Sequence, residues 1–244
     1  MSFKLFRKNS TDIIVTDLTC FNKPGKVCMA GINPRNGECI RPLPYLDIDR
    51  CKELNIMPGT ILRGAFKKPP HIESPHIEDR FHDDLKYIGA CTSEEFKDIL
   101  SQSMCPSVDE GFSIELNSGQ KHIPLRCIPE KSIITLSVNP DSISLCKSSY
   151  EEKTVKLDFS DGVGKKFKNI SITDLGFHEY MARAEKTVTD IRRINDFLRN
   201  QEEVFLRLGL TRPYRAPDGR EGFWIQINGI YTFPEYIKEI RSYT

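Results

Sequence analysis

Short runs of β-branched and aromatic residues, separated by turn residues, dominate the pattern of apolar positions along the chain. Runs of this kind predict β-strands. In the first half the predicted strands are 13–18, 26–32, 39–41 and 60–66. Asn36-Gly37 separates the second strand from the third, and Asn-Gly is a strong hairpin signal.

The second half continues the same pattern of short strands and frequent turns. Its predicted strands are 112–116, 132–138, 142–146, 154–159, 169–173, 204–210 and 223–228. A chain with many short strands and regular turn signals is typical of a barrel or a sandwich. The expected fold class is therefore mostly β (α+β).

Three helices are predicted among these strands. Thr92 followed by Glu95 is a capping-box pattern that opens a short helix ending near residue 103. Apolar residues spaced by three and four predict a long helix over about 179–200. Pro234 is suited to the first turn of a short C-terminal helix. The polar, proline-containing stretch 67–84 is expected to be a solvated loop.

Composition narrows the possible functions. The 35 Lys and Arg residues are balanced by 34 Asp and Glu residues, so a protein that coats nucleic acid through a broad basic surface is excluded. The eight cysteines form no C-x-x-C pair, which argues against a structural zinc site. The sequence has no secretory leader and no run long enough to cross a membrane, so a cytoplasmic protein with reduced thiols is expected.

An echo between the halves suggests an internal duplication. Thr16-Asp17-Leu18 returns as Thr173-Asp174-Leu175, and in each half a Gly-terminated strand, a turn and a return strand follow. On this basis we expect 13–41 to be equivalent to 170–228. We assign Thr16, Asp17, Thr173 and Asp174 structural roles, with each Asp in an Asx-turn or a cap. A metal held between the two carboxylates is the alternative.

Several short motifs carry a resemblance to a known family. They are Val15-Thr16-Asp17-Leu18-Thr19-Cys20-Phe21, Cys39-Ile40-Arg41-Pro42-Leu43, Gly209-Leu210-Thr211-Arg212-Pro213 and 224–231. Together they resemble the bacterial dual OB-fold-containing domain family of prokaryotic conflict and defence systems. The resemblance implies two OB-like β-barrels, 1–130 and 131–244, with the long helix inserted in the second. It also implies nucleic-acid or nucleotide sensing, with a partner protein of a defence system as a further expectation.

Residues 207–231 are the candidate binding surface. Alternation along 223–228 places Ile225 and Ile227 on one face and Trp224 on the other, between amide side chains. An exposed indole can stack on a base, and amides can bond base edges. The alternative is a Trp224 packed under the long helix. The candidate nucleic-acid-binding residues are Arg41, Arg207, Thr211, Arg212, Arg215, Arg220, Trp224, Gln226, Asn228 and Tyr231.

Enzyme signatures are weak in this chain. The sequence contains no P-loop, no dinucleotide fingerprint and no nucleophile elbow. Residues 71–84 hold three histidines and five carboxylates, so a metal-dependent hydrolase or nuclease is one alternative. A protein-interaction module is another. We expect non-catalytic recognition of nucleic acid or a nucleotide, with no cofactor and no metal.

Overall fold

The computed structural model describes residues 10–20, 25–148, 154–183 and 188–241. The chain is mostly β, and seven strands of its first half belong to one sheet. These are β1 (Ser10–Cys20), β2 (Lys26–Ile32), β3 (Cys39–Leu43), β4 (Leu46–Asp47), β5 (Thr60–Lys67), β6 (Asp79–His82) and β7 (Lys86–Ala90). A short helix, α1 (Ile48–Glu53), separates β4 from β5.

Five of these strands close into a barrel. The order is β1-β2-β3-β6-β5, and β5 returns to β1. The β3–β6 pairing is parallel, whereas the other four pairings are antiparallel. β1 pairs with two strands, through residues 10–14 with β5 and through residues 14–20 with β2. The closed barrel agrees with the predicted mostly-β fold.

A β-bulge in β1 decides which side chains enter the barrel. Ile13 and Val15 point into the core, and the register then shifts between Val15 and Asp17. After the shift Leu18 faces the core, although strict alternation from Val15 would place it outside. Bulges re-aim side chains in this way, and here the bulge turns Asp17 toward the second half of the molecule.

The rest of the described chain forms a second sheet with four more helices. Its strands are β8 (Met104–Cys105), β9 (His122–Pro124), β10 (Ile133–Val138), β11 (Ser144–Lys147), β12 (Val155–Ser160), β13 (Lys166–Ile172), β14 (Glu203–Leu210), β15 (Tyr214–Arg215) and β16 (Glu221–Phe233). The helices are α2 (Ser93–Gln102), α3 (Val108–Phe112), α4 (Leu175–Arg183) and α5 (Val188–Arg199).

The second sheet is organised around β16. The strand order is β11-β12-β13-β16-β14-β10-β8, with β9 and β15 also paired to β16. The β13–β16 pairing is parallel, as β3–β6 is in the barrel. β10 and β11 follow each other across the 3-10 turn Pro140–Ser142, yet β10 borders β14 and β11 borders β12. The core beneath includes Phe159 and Phe167, whose rings stack 5.0 Å apart.

The helices agree with the sequence in part. α2 has the predicted capping box, with Thr92 and Glu95 each bonding the backbone of the other. The predicted helix over 179–200 overlaps α4 and α5, but residues 184–187 lie outside the described residues. The C-terminal helix is a 3-10 turn, Lys238–Arg241. None of the described helices is both long and apolar enough to span a membrane.

One predicted strand and the domain boundary are corrected. Residues 112–116 are not a strand, because Ser107 caps α3 and that helix ends at Phe112. The boundary at 130–131 is too late, because β8 and β9 pair with β10 and β16 of the second sheet. Residues 104–124, on the first side of the predicted boundary, therefore contribute β8 and β9 to the second sheet.

The predicted equivalence of 13–41 with 170–228 is wrong. Asp17 lies within β1, whose two neighbours are both antiparallel. Asp174 follows β13, which has one antiparallel and one parallel neighbour. Asp174 caps α4, since its carboxylate accepts the Phe177 N–H at 3.1 Å, whereas Asp17 lies within a strand and accepts from Thr16 and Arg207. The shared tripeptide is a coincidence of sequence at two different places in the fold.

The barrel and the second sheet meet through a buried ion pair. The Arg207 guanidinium donates to Asp17 Oδ2 at 2.7 and 2.9 Å and to Thr135 at 2.8 Å. Both charged side chains are at most 2% exposed. Burial disfavours the charge on Arg207, but the negative charge of Asp17 and the hydrogen bonds of the site act against this effect, and the pKa of Arg207 is raised. Arg207 is thus a structural contact of the junction.

Residues 75–80 form the other part of the junction, so the predicted solvated loop is wrong for the buried positions there, whereas 71–74, 81, 83 and 84 are exposed as predicted. The Glu78 carboxylate accepts the backbone N–H groups of Ser132 and Ile133 at 2.8 and 3.0 Å. Asp79 accepts from Arg41 at 2.6 Å. Glu78 and Asp79 are buried because these partners replace water. In the part of the chain that the structure describes, no cluster of three His, Cys, Asp or Glu residues could hold a metal ion.

His76 is the buried histidine of this segment. Its side chain is 1% exposed, and its ring lies edge-on to Phe223 with 6.1 Å between centroids. Burial lowers the pKa of His76 to about 2, with the positive charges of Arg41 and Arg212 acting in the same direction. The imidazole is therefore neutral in the folded protein at physiological pH.

We predict that Arg207→Met lowers the free energy of unfolding by about 3–5 kcal/mol, because it leaves the Asp17 carboxylate buried without its partner. Urea unfolding measures the effect. Arg63→Met is the matched control, since Arg63 pairs with Asp12 on the barrel surface and should cost at most about 1 kcal/mol. Equal costs for the two variants would contradict the assignment.

We also predict that His76 makes the fold sensitive to acid. Between the ordinary histidine pKa of about 6.5 and the folded value, the unfolded chain binds more protons, so stability falls as pH falls. Between pH 6.5 and 5 the wild type should lose about 1–2 kcal/mol more than His76→Leu in urea unfolding. His71→Leu, at an exposed position of the same segment, should follow the wild type. Parallel pH profiles for wild type and His76→Leu would refute this.

Candidate nucleic-acid interface

β16 carries a partly exposed polar face next to a buried apolar face. Ile225 and Ile227 are buried in the core, whereas Trp224, Gln226 and Asn228 are partly exposed. The alternation is the one that the sequence predicts. The indole N–H of Trp224 donates to the Tyr214 carbonyl at 3.3 Å. The indole therefore lies over the edge of the sheet, and the alternative of a Trp224 packed under the long helix is wrong.

Two short strands place further rings beside Trp224. Tyr214 of β15 is paired with Gly222, and His122 of β9 is paired with Trp224. Paired residues share a face, as do residues two apart in one strand. Tyr214, His122 and Trp224 therefore belong to one face. The His122 and Trp224 rings lie 4.9 Å apart at 47°, and Tyr214 is 51% exposed.

Gly222 makes this arrangement possible. A Cβ at this position would lie 2.1 Å from the Ile123 carbonyl oxygen and 2.7 Å from His122 Nε2. His122 Nε2 lies 3.0 Å from the Glu221 carbonyl oxygen, which can only accept, so this nitrogen carries the proton. The missing side chain at Gly222 thus lets the backbone hold the His122 ring against Trp224.

Arg220 contacts one of these rings, and two further basic residues are their neighbours in sequence, since Lys121 precedes His122 and Arg215 follows Tyr214. The Arg220 guanidinium carbon lies 4.9 Å from the centre of the Trp224 ring. Lys121 donates to the Asn169 carbonyl at 3.1 Å. Burial lowers the pKa of Lys121, and the nearby positive charge of Arg220 lowers it further. Arg215 is exposed on β15. We call this set the Trp224 surface: Lys121, His122, Tyr214, Arg215, Arg220 and Trp224.

The predicted amide and hydroxyl residues have different surroundings. Thr211 Oγ1 accepts the backbone N–H of Trp224 at 3.0 Å, so Thr211 holds the strand in place. Asn228 packs over Gly209, where a Cβ would lie 2.3 Å from its amide nitrogen, and it accepts from Thr173 at 3.2 Å. Gln226 is partly exposed opposite Ser171 of β13. Of these residues, Gln226 is the one best placed beside Trp224 for a ligand.

Four of the predicted binding residues belong to the junction instead. Arg41, Arg207 and Tyr231 are at most 5% exposed, so their assignment to nucleic-acid binding is wrong. The Tyr231 hydroxyl donates to the Thr16 carbonyl at 2.6 Å. Arg212 is partly exposed, but it donates to Asp79 at 2.7 Å and to the Tyr45 hydroxyl at 3.2 Å. The three arginines are occupied because they pair with the buried carboxylates of the junction.

The predicted structural residues also have ionic or hydroxyl partners. Asp17 is paired with Arg207, and Asp174 accepts from Arg241 at 2.9 and 3.0 Å. Thr16 donates to Asp17 at 2.8 Å, and Thr173 donates to the Ile227 carbonyl at 3.1 Å. With an arginine on each carboxylate, the alternative of a metal bound between Asp17 and Asp174 is wrong.

Sequence reasoning missed Lys121, His122 and Tyr214. His122 reaches Glu221 across 99 residues of sequence, and β9 has only three residues. A strand of three residues is too short to show an alternating pattern, so the sequence predicts neither β9 nor its pairing with β16. Tyr214 lies between Arg212 and Arg215 in the sequence. An aromatic residue flanked by arginines was the one sequence feature that could have indicated a binding residue here.

Comparison with protein-family models, with curated proteins and with solved structures found no match for this chain.

Proposed function

We propose that this protein is a non-catalytic binder of single-stranded nucleic acid and that the Trp224 surface is its binding site. The observation that carries the proposal is the contact of two partly exposed rings with each other and with an exposed cation. Trp224 has His122 on one neighbouring strand and the Arg220 guanidinium 4.9 Å from its ring centre. Aromatic and guanidinium planes stack on bases, and cations bind the phosphates between them.

The strand order of the barrel supports an OB-like fold. Counting β1, β2, β3, β5 and β6 as strands one to five, the order is one-two-three-five-four and back to one. Strands three and five are parallel. This is the five-stranded Greek-key arrangement of OB folds, which bind oligonucleotides.

The second sheet follows the same order if β10 and β11 are one bent strand. With that strand first, β12, β13, β14 and β16 are second to fifth, and β13 and β16 are the parallel pair. Helices α4 and α5 lie between the third and fourth strands, where α1 lies in the barrel. We therefore propose a second OB-like barrel, and a duplication that relates residues 10–82 to 133–233.

The location of the Trp224 surface fits this proposal. OB folds bind ligands on strands two and three and on the loops between strands one and two and between strands four and five. The connection between β14 and β16 is the four–five loop, and it carries Tyr214, Arg215 and Arg220. Lys121 reaches Asn169 on β13, the third strand. The four–five loop and the contact with the third strand support a site at the usual OB ligand position.

The low net charge and the energy of one stacking contact set the expected strength and salt dependence of binding. The formal net charge is +1, so attraction to phosphates comes from local cations and falls with salt. A base stacked on an aromatic side chain contributes about 1–3 kcal/mol. By the resemblance to dual OB-fold proteins, we propose that the protein serves as an accessory or sensor component of a defence-type system, next to a partner protein.

Trp224→Ala should weaken binding of a labelled single-stranded oligonucleotide by about 1–3 kcal/mol, the contribution of one stack. Trp224 is the single tryptophan of the chain, so quenching of wild-type fluorescence reports on this surface alone. Tyr236→Ala, at an exposed aromatic residue near the C-terminal turn, should bind as the wild type does. Wild-type protein that binds no oligonucleotide at about 50 mM salt would disprove the proposed function.

Arg215→Gln should flatten the dependence of log K on log salt by about 0.7, the value for one phosphate contact on a single strand. Anisotropy titrations across a range of salt concentrations measure the slope. Arg199→Gln removes an exposed arginine that pairs with Asp196 on α5, and its slope should match that of the wild type. An unchanged slope for Arg215→Gln would show that Arg215 does not contact a phosphate.

A further inference from the structure

The turn before β16 holds an aspartate against the arginine of the Trp224 surface. The Gly219 N–H bonds the Ala216 carbonyl at 2.9 Å, and the Ala216 N–H bonds the Arg220 carbonyl at 2.8 Å. Gly219 has φ +87°, a conformation that favours glycine. The tight turn brings Asp218 back over Arg220, so the two side chains are held together by the backbone.

Asp218 occupies the guanidinium group of Arg220. Its Oδ2 accepts from Arg220 Nε at 2.9 Å and from Nη2 at 2.5 Å, and its Oδ1 accepts the Arg220 backbone N–H at 3.1 Å. The hydrogen bonds from the side chain and the backbone of Arg220 lower the pKa of Asp218, so the carboxylate stays charged at neutral pH. Both side chains are more than half exposed.

A phosphate group would bind the same edge of this guanidinium. Arginine presents two N–H donors in a fixed fork that carboxylates and phosphates accept in the same way. The Arg220 guanidinium carbon meanwhile lies over the Trp224 ring, 4.9 Å from its centre. One side chain therefore contacts the indole while its N–H donors bind an anion, here the Asp218 carboxylate.

We propose that Asp218 takes the place of a nucleic-acid phosphate and that a phosphodiester of a bound single strand displaces it. The inference rests on the proposed function and adds an element of regulation to it. Arg220 stays in contact with the Trp224 ring while its donors exchange a carboxylate for a phosphate. Asp218 thereby lowers the affinity of the Trp224 surface for every single strand it binds.

The exposure of the Asp218–Arg220 ion pair limits how much Asp218 can lower the affinity for a single strand. An exposed ion pair is weak, so displacing Asp218 reduces affinity by about fivefold at most. The displaced carboxylate also stays within the Debye length of about 10 Å, so it repels the phosphate at low salt. Together we expect Asp218→Asn to tighten binding by about three- to tenfold at low salt, with a smaller gain at higher salt.

The experiment compares two aspartates that are both paired with an arginine. Asp218→Asn keeps a side-chain oxygen that can accept the Arg220 N–H, so the turn retains that bond. Asp196→Asn makes the same change of charge at an exposed residue on α5, where Asp196 pairs with Arg199 at 2.9 Å. Anisotropy with a labelled single-stranded oligonucleotide is measured for both variants, for Arg220→Gln and for the Asp218→Asn/Arg220→Gln double variant.

The expected result is a three- to tenfold gain for Asp218→Asn, less than about twofold for Asp196→Asn, and no gain from Asp218→Asn when Arg220 is absent. Equal gains for the two aspartates, or a gain that persists without Arg220, would show a general charge effect and overturn the inference. Weaker binding by Asp218→Asn, with an unchanged melting temperature, would make Asp218 part of the site and also overturn it. If wild type binds and only the gain is missing, this inference alone fails. If neither wild type nor Asp218→Asn binds, the proposed function fails and takes the inference with it.

Discussion

The buried ion pair between Arg207 and Asp17 is the contact on which the arrangement of the molecule depends. It joins side chains 190 residues apart, and neither is more than 2% exposed. Removing a charge from water is costly unless a partner is close, so the barrel and the second sheet can separate only by breaking or hydrating this pair. Glu78 adds a second link, since it accepts the first backbone N–H groups of β10.

This junction decides which basic residues are left for a ligand. Arg41, Arg207 and Arg212 all pair with the carboxylates of Asp17 or Asp79. A count of arginines along 207–220 therefore overstates the positive charge of the surface. The cations of the Trp224 surface come from β15, from the turn before β16 and from Lys121. A small local set of cations agrees with the net charge of +1.

Local rules predicted the parts of the fold that depend on neighbours in sequence. Alternation in β16 and the capping box of α2 are set within a few residues, so the sequence was enough for both. The burial of His76 and of residues 78–80 was not predicted because their partners are distant in sequence. In the sequence, Glu78 has the composition of a solvated loop around it. Its hydrogen-bond donors are the backbone N–H groups of Ser132 and Ile133, more than 50 residues away. The equivalence predicted from the repeated Thr-Asp-Leu was wrong for a related reason, since a shared tripeptide does not specify the direction of the neighbouring strands.

The segment between β14 and β15 ties the candidate site to the junction. Arg212 is bonded to Asp79 of the barrel, whereas its neighbour Thr211 bonds the Trp224 backbone in both directions. Phe223, next to Trp224, contacts His76 of the barrel segment. The backbone that positions Trp224 is thus held from the barrel side as well as from its own sheet. It follows that loss of the junction should disturb the Trp224 surface even though no junction side chain belongs to it. The position of the Trp224 surface therefore depends on the barrel as well as on the second sheet.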